Sequence, residues 1–132
     1  MSEIDKAIEI TKKVQSFIWK HKDMILKGKS RYEGCHELWG TCYPAAWFLY
    51  EVLLQEKIIT TVVRKKFNKH GNHCYVILSE GIFHTVLDPT SDQIPEGWDY
   101  ITGFAKSSPM KAEHKMPHNM TKKLLELWNI EE

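Results

Sequence analysis

The sequence predicts an α+β fold in which N-terminal helices pack on a small antiparallel sheet. Two patterns carry that prediction. The N-terminal half repeats apolar residues at helical spacing, whereas residues 58–87 alternate β-branched runs with turn clusters that fold each strand back on the last. At 132 residues and 42% hydrophobic, the chain suits one globular domain, residues 1–132, able to bury a core without staples.

Residues 2–27 place Ile4, Ala7, Ile8, Val14, Phe17, Ile18 and Ile25 near a 3.6-residue repeat, which predicts an amphipathic helix. Ser2 followed by Asp5 resembles a capping box at its start. This helix is scaffolding, with His21 expected at the surface. Residues 28–40, rich in glycine and charge, read as a loop carrying Cys35, His36 and Trp39. From Pro44 to about residue 56 the run Trp47, Phe48, Leu49, Val52, Leu53, Leu54 predicts a buried helix, with Pro44 tolerated in its first turn.

The β-branched run 58–63 predicts a strand, and Asn68-Lys69-His70-Gly71-Asn72 a turn into a second strand over 73–78. Ser79-Glu80-Gly81 turns the chain again into a third strand, 82–87, which Asp88-Pro89 closes because proline cannot donate to a ladder. Residues 89–119 have no sustained periodicity, and their aromatics Trp98, Tyr100 and Phe104 point to a packed segment bordering a site. A last helix over about 119–129 is expected to bury Met120, Leu124, Leu127 and Trp128, capped by Asn119 or Thr121.

Composition narrows the function classes. Eighteen basic residues against seventeen acidic give a formal charge of +1, which steers the chain toward neither nucleic acid nor an anionic membrane. The basic run Arg64-Lys65-Lys66 reads as a solvated strand end. No apolar leader opens the sequence and no window approaches the roughly 20 apolar residues of a membrane span, so a cytoplasmic protein is expected. Three cysteines, an odd number, argue for free thiols rather than a disulfide framework.

One stretch carries chemistry. In Gly40-Thr41-Cys42-Tyr43-Pro44-Ala45-Ala46 a cysteine stands where a loop becomes a helix. Unpaired N–H groups and the positive end of the helix dipole stabilise a thiolate there, which makes a nucleophile. A thiolate nucleophile needs a base and an orienting acid, and the strands offer both. If the second hairpin turns on Glu80-Gly81 with Ser79 opposite Ile82, His73 lies directly opposite Asp88, within reach of a hydrogen bond. One step of slip would send the carboxylate to the other face.

A cysteine opening a helix, a histidine starting a strand and an aspartate ending the next resemble the papain-like and transglutaminase-like superfamily. The matching segments are residues 40–46, Gly71-Asn72-His73-Cys74-Tyr75-Val76 and Leu87-Asp88-Pro89-Thr90, within 40–93 and under half the chain. The resemblance implies a core of a helix packed on an antiparallel sheet. It also implies that Cys42 attacks a carbonyl carbon, His73 is the base and Asp88 holds the imidazole in its tautomer. The substrate would be a peptide, a protein or a small amide, opened through a thioester with no cofactor and no metal. Papain-like peptidases carry a glutamine shortly before the nucleophile. None lies between Arg31 and Cys42, so Trp39, His36 or a backbone N–H becomes the expected second oxyanion donor beside the Cys42 N–H.

Other readings of the same residues stay open. Cys42 can be a small buried group at a helix start, His73 a satisfied strand residue, Asp88 a turn former, and Cys74 a core residue on the face opposite His73. His84, on the same strand face as Asp88, is the substitute base. The chain can also be an inactive member of the fold that binds a protein through its cleft. A third reading is a zinc-stabilised domain drawing on Cys35, His36, Cys42, His70, His73 and Cys74.

Overall fold

The computed structural model describes residues 2–26, 42–67, 71–80, 83–90, 108–109 and 119–132. Its elements run α1 (Glu3–Leu26), α2 (Cys42–Gln55), β1 (Thr61–Phe67), β2 (Gly71–Glu80), β3 (Phe83–Leu87), β4 (Ser108–Pro109) and α3 (Asn119–Glu131). The strands form one antiparallel sheet in the order β3-β2-β1-β4, and the fold is α+β as expected.

Helix α1 starts where its cap predicts. The Ser2 hydroxyl accepts the Asp5 N–H at 3.1 Å, satisfying one orphan donor of the first turn. Ala7, Val14, Phe17, Ile18 and Ile25 are buried, joined by Thr11, whose hydroxyl returns to the Ala7 carbonyl at 2.8 Å. His21 is half-buried at the surface. Its ring lies 4.5 Å from that of Phe17, and Nε2 meets Glu131 of α3 at 2.9 Å, so it ties the first helix to the last.

Helix α2 is apolar nearly all round, burying Trp47, Phe48, Leu49, Val52 and Leu53 between α1 and the sheet, as a helix in the middle of a fold must. Leu54, expected in the core, is 40% exposed. The end of α2 explains why. Lys57 adopts φ 62°, its N–H donates to the Leu54 carbonyl at 2.9 Å, and the Ile58 N–H donates to the Leu53 carbonyl at 2.9 Å. These paired bonds close a Schellman cap, whose hydrophobic contact joins the residue after the αL position to the last turn. Ile58, 3% exposed, is spent on that contact, so β1 begins at Thr61 rather than at residue 58 as expected.

The sheet is a meander whose two faces differ. Val62, Cys74, Val76, Leu78 and Leu87 point to the helices, and Val63, Tyr75 and Val86 to the other face. The register of the second hairpin corrects the expected one. Glu80 pairs with Phe83 and Val76 with Leu87, so the ladder is displaced by two residues from the expected one. An even displacement preserves the face of every side chain, because side chains alternate with a period of two. His73 is therefore not directly opposite Asp88 but still shares its face. In α3, Leu124 and Thr121 are buried, while Met120, Leu127 and Trp128 are only partly so. The expected loop at 28–40 and most of 89–119 lie outside the described residues.

Candidate active site

Three elements deliver the site. Cys42 is the first residue of α2, at the helix end where backbone N–H groups lack helical acceptors. His73 lies near the start of β2, and Asp88 follows β3 directly. The chain leaves the sheet there because Pro89 cannot extend the ladder. β3 pairs with β2 only from Val76 onward, so the beginning of β2 runs past the end of its neighbour. Asp88 turns into that space beside His73.

The His73–Asp88 contact is short and dry. Nε2 of His73 lies 2.6 Å from Oδ2 of Asp88, with the residues 2% and 1% exposed. The second carboxylate oxygen is fixed as well. Oδ1 accepts the Thr90 N–H at 3.0 Å and the Thr90 hydroxyl at 3.2 Å, an Asx-turn geometry that aims Oδ2 at the imidazole. On its other side the His73 ring stacks over Tyr75, with centroids 6.1 Å apart. Asp88 thus occupies Nε2, and the Cys42 sulfur interacts electrostatically with the same imidazole.

The electrostatics favour an ion pair. The Cys42 sulfur is held well below the ordinary thiol range chiefly by a hydrogen bond from the Cys74 thiol, which outweighs burial. A hydrogen bond to His73, its charge, and the Cys74 backbone N–H act in the same direction. Burial would push His73 down. The bonds to Asp88 and Cys42, together with their charges, raise it instead to about 9. Cys74 is pushed the opposite way, by the hydrogen bond it gives Cys42 and by burial, so it stays a thiol. These shifts favour a thiolate beside an imidazolium whose Nε2 is bound to a carboxylate.

The structure thus brings together the three residues predicted from sequence. It also adds two that sequence reasoning had left unspecialised. Cys74 is buried on the helix face as expected, yet it is the largest influence that lowers the Cys42 thiol. Thr90 is fully buried and braces Asp88. The Asp88-Pro89-Thr90 sequence could have signalled that brace, since an Asx-turn joins a carboxylate to the backbone two residues on. His84, the expected substitute base, instead bonds the Ser79 hydroxyl across the hairpin at 2.8 Å. Trp39, His36, Cys35 and His70 lie outside the described residues. Among the described residues no group of three or more His, Cys, Asp or Glu side chains is placed to hold a metal ion. A cavity of about 320 Å³ bounded by Ile10, Lys13, Val52 and Trp128 lies among the helices, and none of Cys42, His73 or Asp88 lines it.

No family model matches the chain, and comparison with curated proteins and with solved structures likewise finds no match. Among the described residues, no helix is long and apolar enough to cross a membrane.

Proposed function

We propose that this protein is a cysteine-nucleophile acyl-transfer enzyme that opens a peptide, isopeptide or side-chain amide bond through a thioester on Cys42. The observation that carries this reading is the buried His73–Asp88 bond, with the Cys42 thiol against the same imidazole at the start of a helix. A helix end, an imidazolium and a hydrogen-bonded thiolate are the surroundings that activate a cysteine.

In this mechanism the Cys42 sulfur attacks the carbonyl carbon, and its N–H at the head of α2 is one donor to the oxyanion. The His73 imidazolium gives its proton to the leaving amine, and the thioester forms as the amine departs. Neutral His73 then takes a proton from water or from an acceptor amine, which releases the acyl group as an acid or an amide. Asp88, bonded to Nε2, holds the ring in the orientation that both transfers require. A resemblance to papain-like and transglutaminase-like enzymes supports the same assignment, and free thiols at Cys42 and Cys74 suit a cytoplasmic setting.

The test is selective alkylation followed by acyl trapping. Iodoacetamide at neutral pH should label Cys42 ahead of Cys35 and Cys74, and His73→Ala should slow that labelling on the order of tenfold. Incubation with p-nitrophenyl acetate should leave an acetyl group on Cys42 that hydroxylamine removes, read by mass spectrometry. Equal labelling of all three thiols would sink the enzyme reading. Stoichiometric zinc and unfolding by a chelator would replace it with the metal-stabilised domain.

A further inference from the structure

Asp88 stands just past the end of the β2–β3 ladder, whose last pair is Val76 with Leu87. Sheet pairing therefore does not hold it, and at 1% exposure it is shut away from water. Its carboxylate has to be aimed by hydrogen bonds of its own. Pro89 has no N–H to give, so Thr90 offers the first backbone donor beyond it. That N–H reaches Oδ1 at 3.0 Å, and the Thr90 hydroxyl reaches the same oxygen at 3.2 Å. Thr90 is itself fully buried, and a side chain branched at Cβ is stiff about χ1, so the hydroxyl is held where it donates. Two donors on Oδ1 leave Oδ2 facing Nε2 of His73 at 2.6 Å.

We propose that Thr90 is a positioning residue for the Cys42 reaction: by locking Oδ1 of Asp88 with two hydrogen bonds, it keeps Oδ2 on Nε2 of His73 and so selects the nitrogen that works as the base. The role rests on the acyl-transfer reading for its consequence, although the geometry lies wholly within Asp88, Thr90 and His73. A neutral imidazole carries its hydrogen on one nitrogen and takes a proton on the other. A carboxylate only accepts, so Oδ2 fixes the hydrogen at Nε2 and leaves Nδ1 as the base. A carboxylate released at Oδ1 would share its time between orientations, because its χ2 torsion is broad and roughly two-fold. The ring would then populate the Nδ1–H tautomer, whose free nitrogen is the one beside Asp88. Tyr75 stacks on the ring from the same strand, and the Cys42 sulfur of α2 acts on it electrostatically. The Arg64 charge, from β1, acts on the neighbouring Cys74. Removing one hydroxyl at residue 90 leaves all of these groups in place, so a change at the ring reports the Asp88 lock.

The experiment compares the full-length protein with Thr90→Val, which puts a methyl in place of the hydroxyl, and Thr90→Ser, which keeps the hydroxyl. Nitrogen NMR of the His73 ring above its pKa of about 9 reads the tautomer, and iodoacetamide at neutral pH reads the Cys42 sulfur. In Thr90→Val the ratio of the Nε2–H to the Nδ1–H form and the alkylation rate should each fall about threefold to tenfold, the weight of one such hydrogen bond. Thr90→Ser should keep both within about twofold of the unsubstituted protein, even where the lost methyl lowers its urea midpoint. An unchanged tautomer ratio in Thr90→Val, or the same loss in Thr90→Ser as in Thr90→Val, would overturn the proposal. Should Thr90→Val fail to fold, Thr90→Ser decides alone, and a tautomer ratio that falls together with its urea midpoint makes Thr90 a packing residue only. The two readings fail separately. A tautomer that follows the hydroxyl in a protein forming no acetyl-Cys42 sinks only the acyl transfer, whereas ready acetylation of Cys42 with a tautomer indifferent to Thr90 sinks only the positioning role.

Discussion

Asp88 sets the properties of the site through one hydrogen bond. Its carboxylate holds the His73 proton, whose folded-state pKa of about 9 lies above the ordinary 6.5. The stability contributed by protonated His73 is therefore fully present below about pH 6.5 and lost as pH rises through about 9. Cys42 runs the opposite way. Its thiolate contributes above the ordinary thiol value of 9.0, and that contribution is lost as pH falls through the lowered folded value. Between the two folded values the ion pair persists, so Cys42 acylation should stay level through neutral pH and decline above about pH 9, as the acid for the leaving amine disappears. Replacing Asp88 with Asn should move that decline to lower pH in a pH–rate profile. Asp88→Ala strips a buried imidazolium of its partner and should destabilise the fold by about 3–5 kcal/mol in urea titrations. Cys42, His73 and Asp88 were legible in the sequence because a helix start, a strand start and a strand-ending Asp-Pro mark their places. Cys74 was not recognised, because strand alternation assigns it a face but says nothing of a sulfur arriving from a helix.

Among the elements, the two turns that bound the sheet decide what the site can tolerate. The β2–β3 hairpin differs from the expected register by two residues, and the site survives because two is even. One residue inserted between Gly81 and Ile82 should abolish fast Cys42 alkylation by turning Asp88 to the wrong face, while two inserted residues should largely preserve it. The alternation of strand residues was readable from sequence, whereas the turn position was not, since Ser79-Glu80-Gly81-Ile82 offers competing two-residue loops. The end of α2 was hidden for a related reason. Ile58 belongs to a β-branched run and reads as strand, yet it completes a cap whose αL residue is Lys57, without the glycine that announces such a cap. Lys57→Gly removes the Cβ penalty of the left-handed conformation and should stabilise the protein by about 1 kcal/mol, measured as a higher denaturation midpoint.

For the molecule as a whole, the helices form a layer that presses α2 on the sheet. Phe17, Phe48 and Trp128, from three different helices, meet with ring centroids 5.3 to 5.7 Å apart, in tilted and edge-on contacts. Phe48→Ala should destabilise the fold by about 3–5 kcal/mol, since the aromatic cluster cannot collapse from three helices at once. A denaturant midpoint would measure the loss. Lys20 and His21 of α1 grip Glu131, near the end of α3, and the Lys20 bond in particular lowers the Glu131 carboxyl from its ordinary 4.5. The grip is present above that pH and lost as pH falls through the lowered value, so amide exchange in the last turns of α3 should accelerate in acid. The α+β class and the order of the elements were evident in the sequence's changing periodicity. The joining of the first helix to the last was not, because no local pattern reports a contact between distant segments. One peptide link, between His73 and Cys74, sends its imidazole to one side of the sheet and its sulfur to the other, and a single helix tip touches both. Any binder that wedges that tip away from the sheet would therefore abolish the proposed acyl transfer through one small mechanical separation.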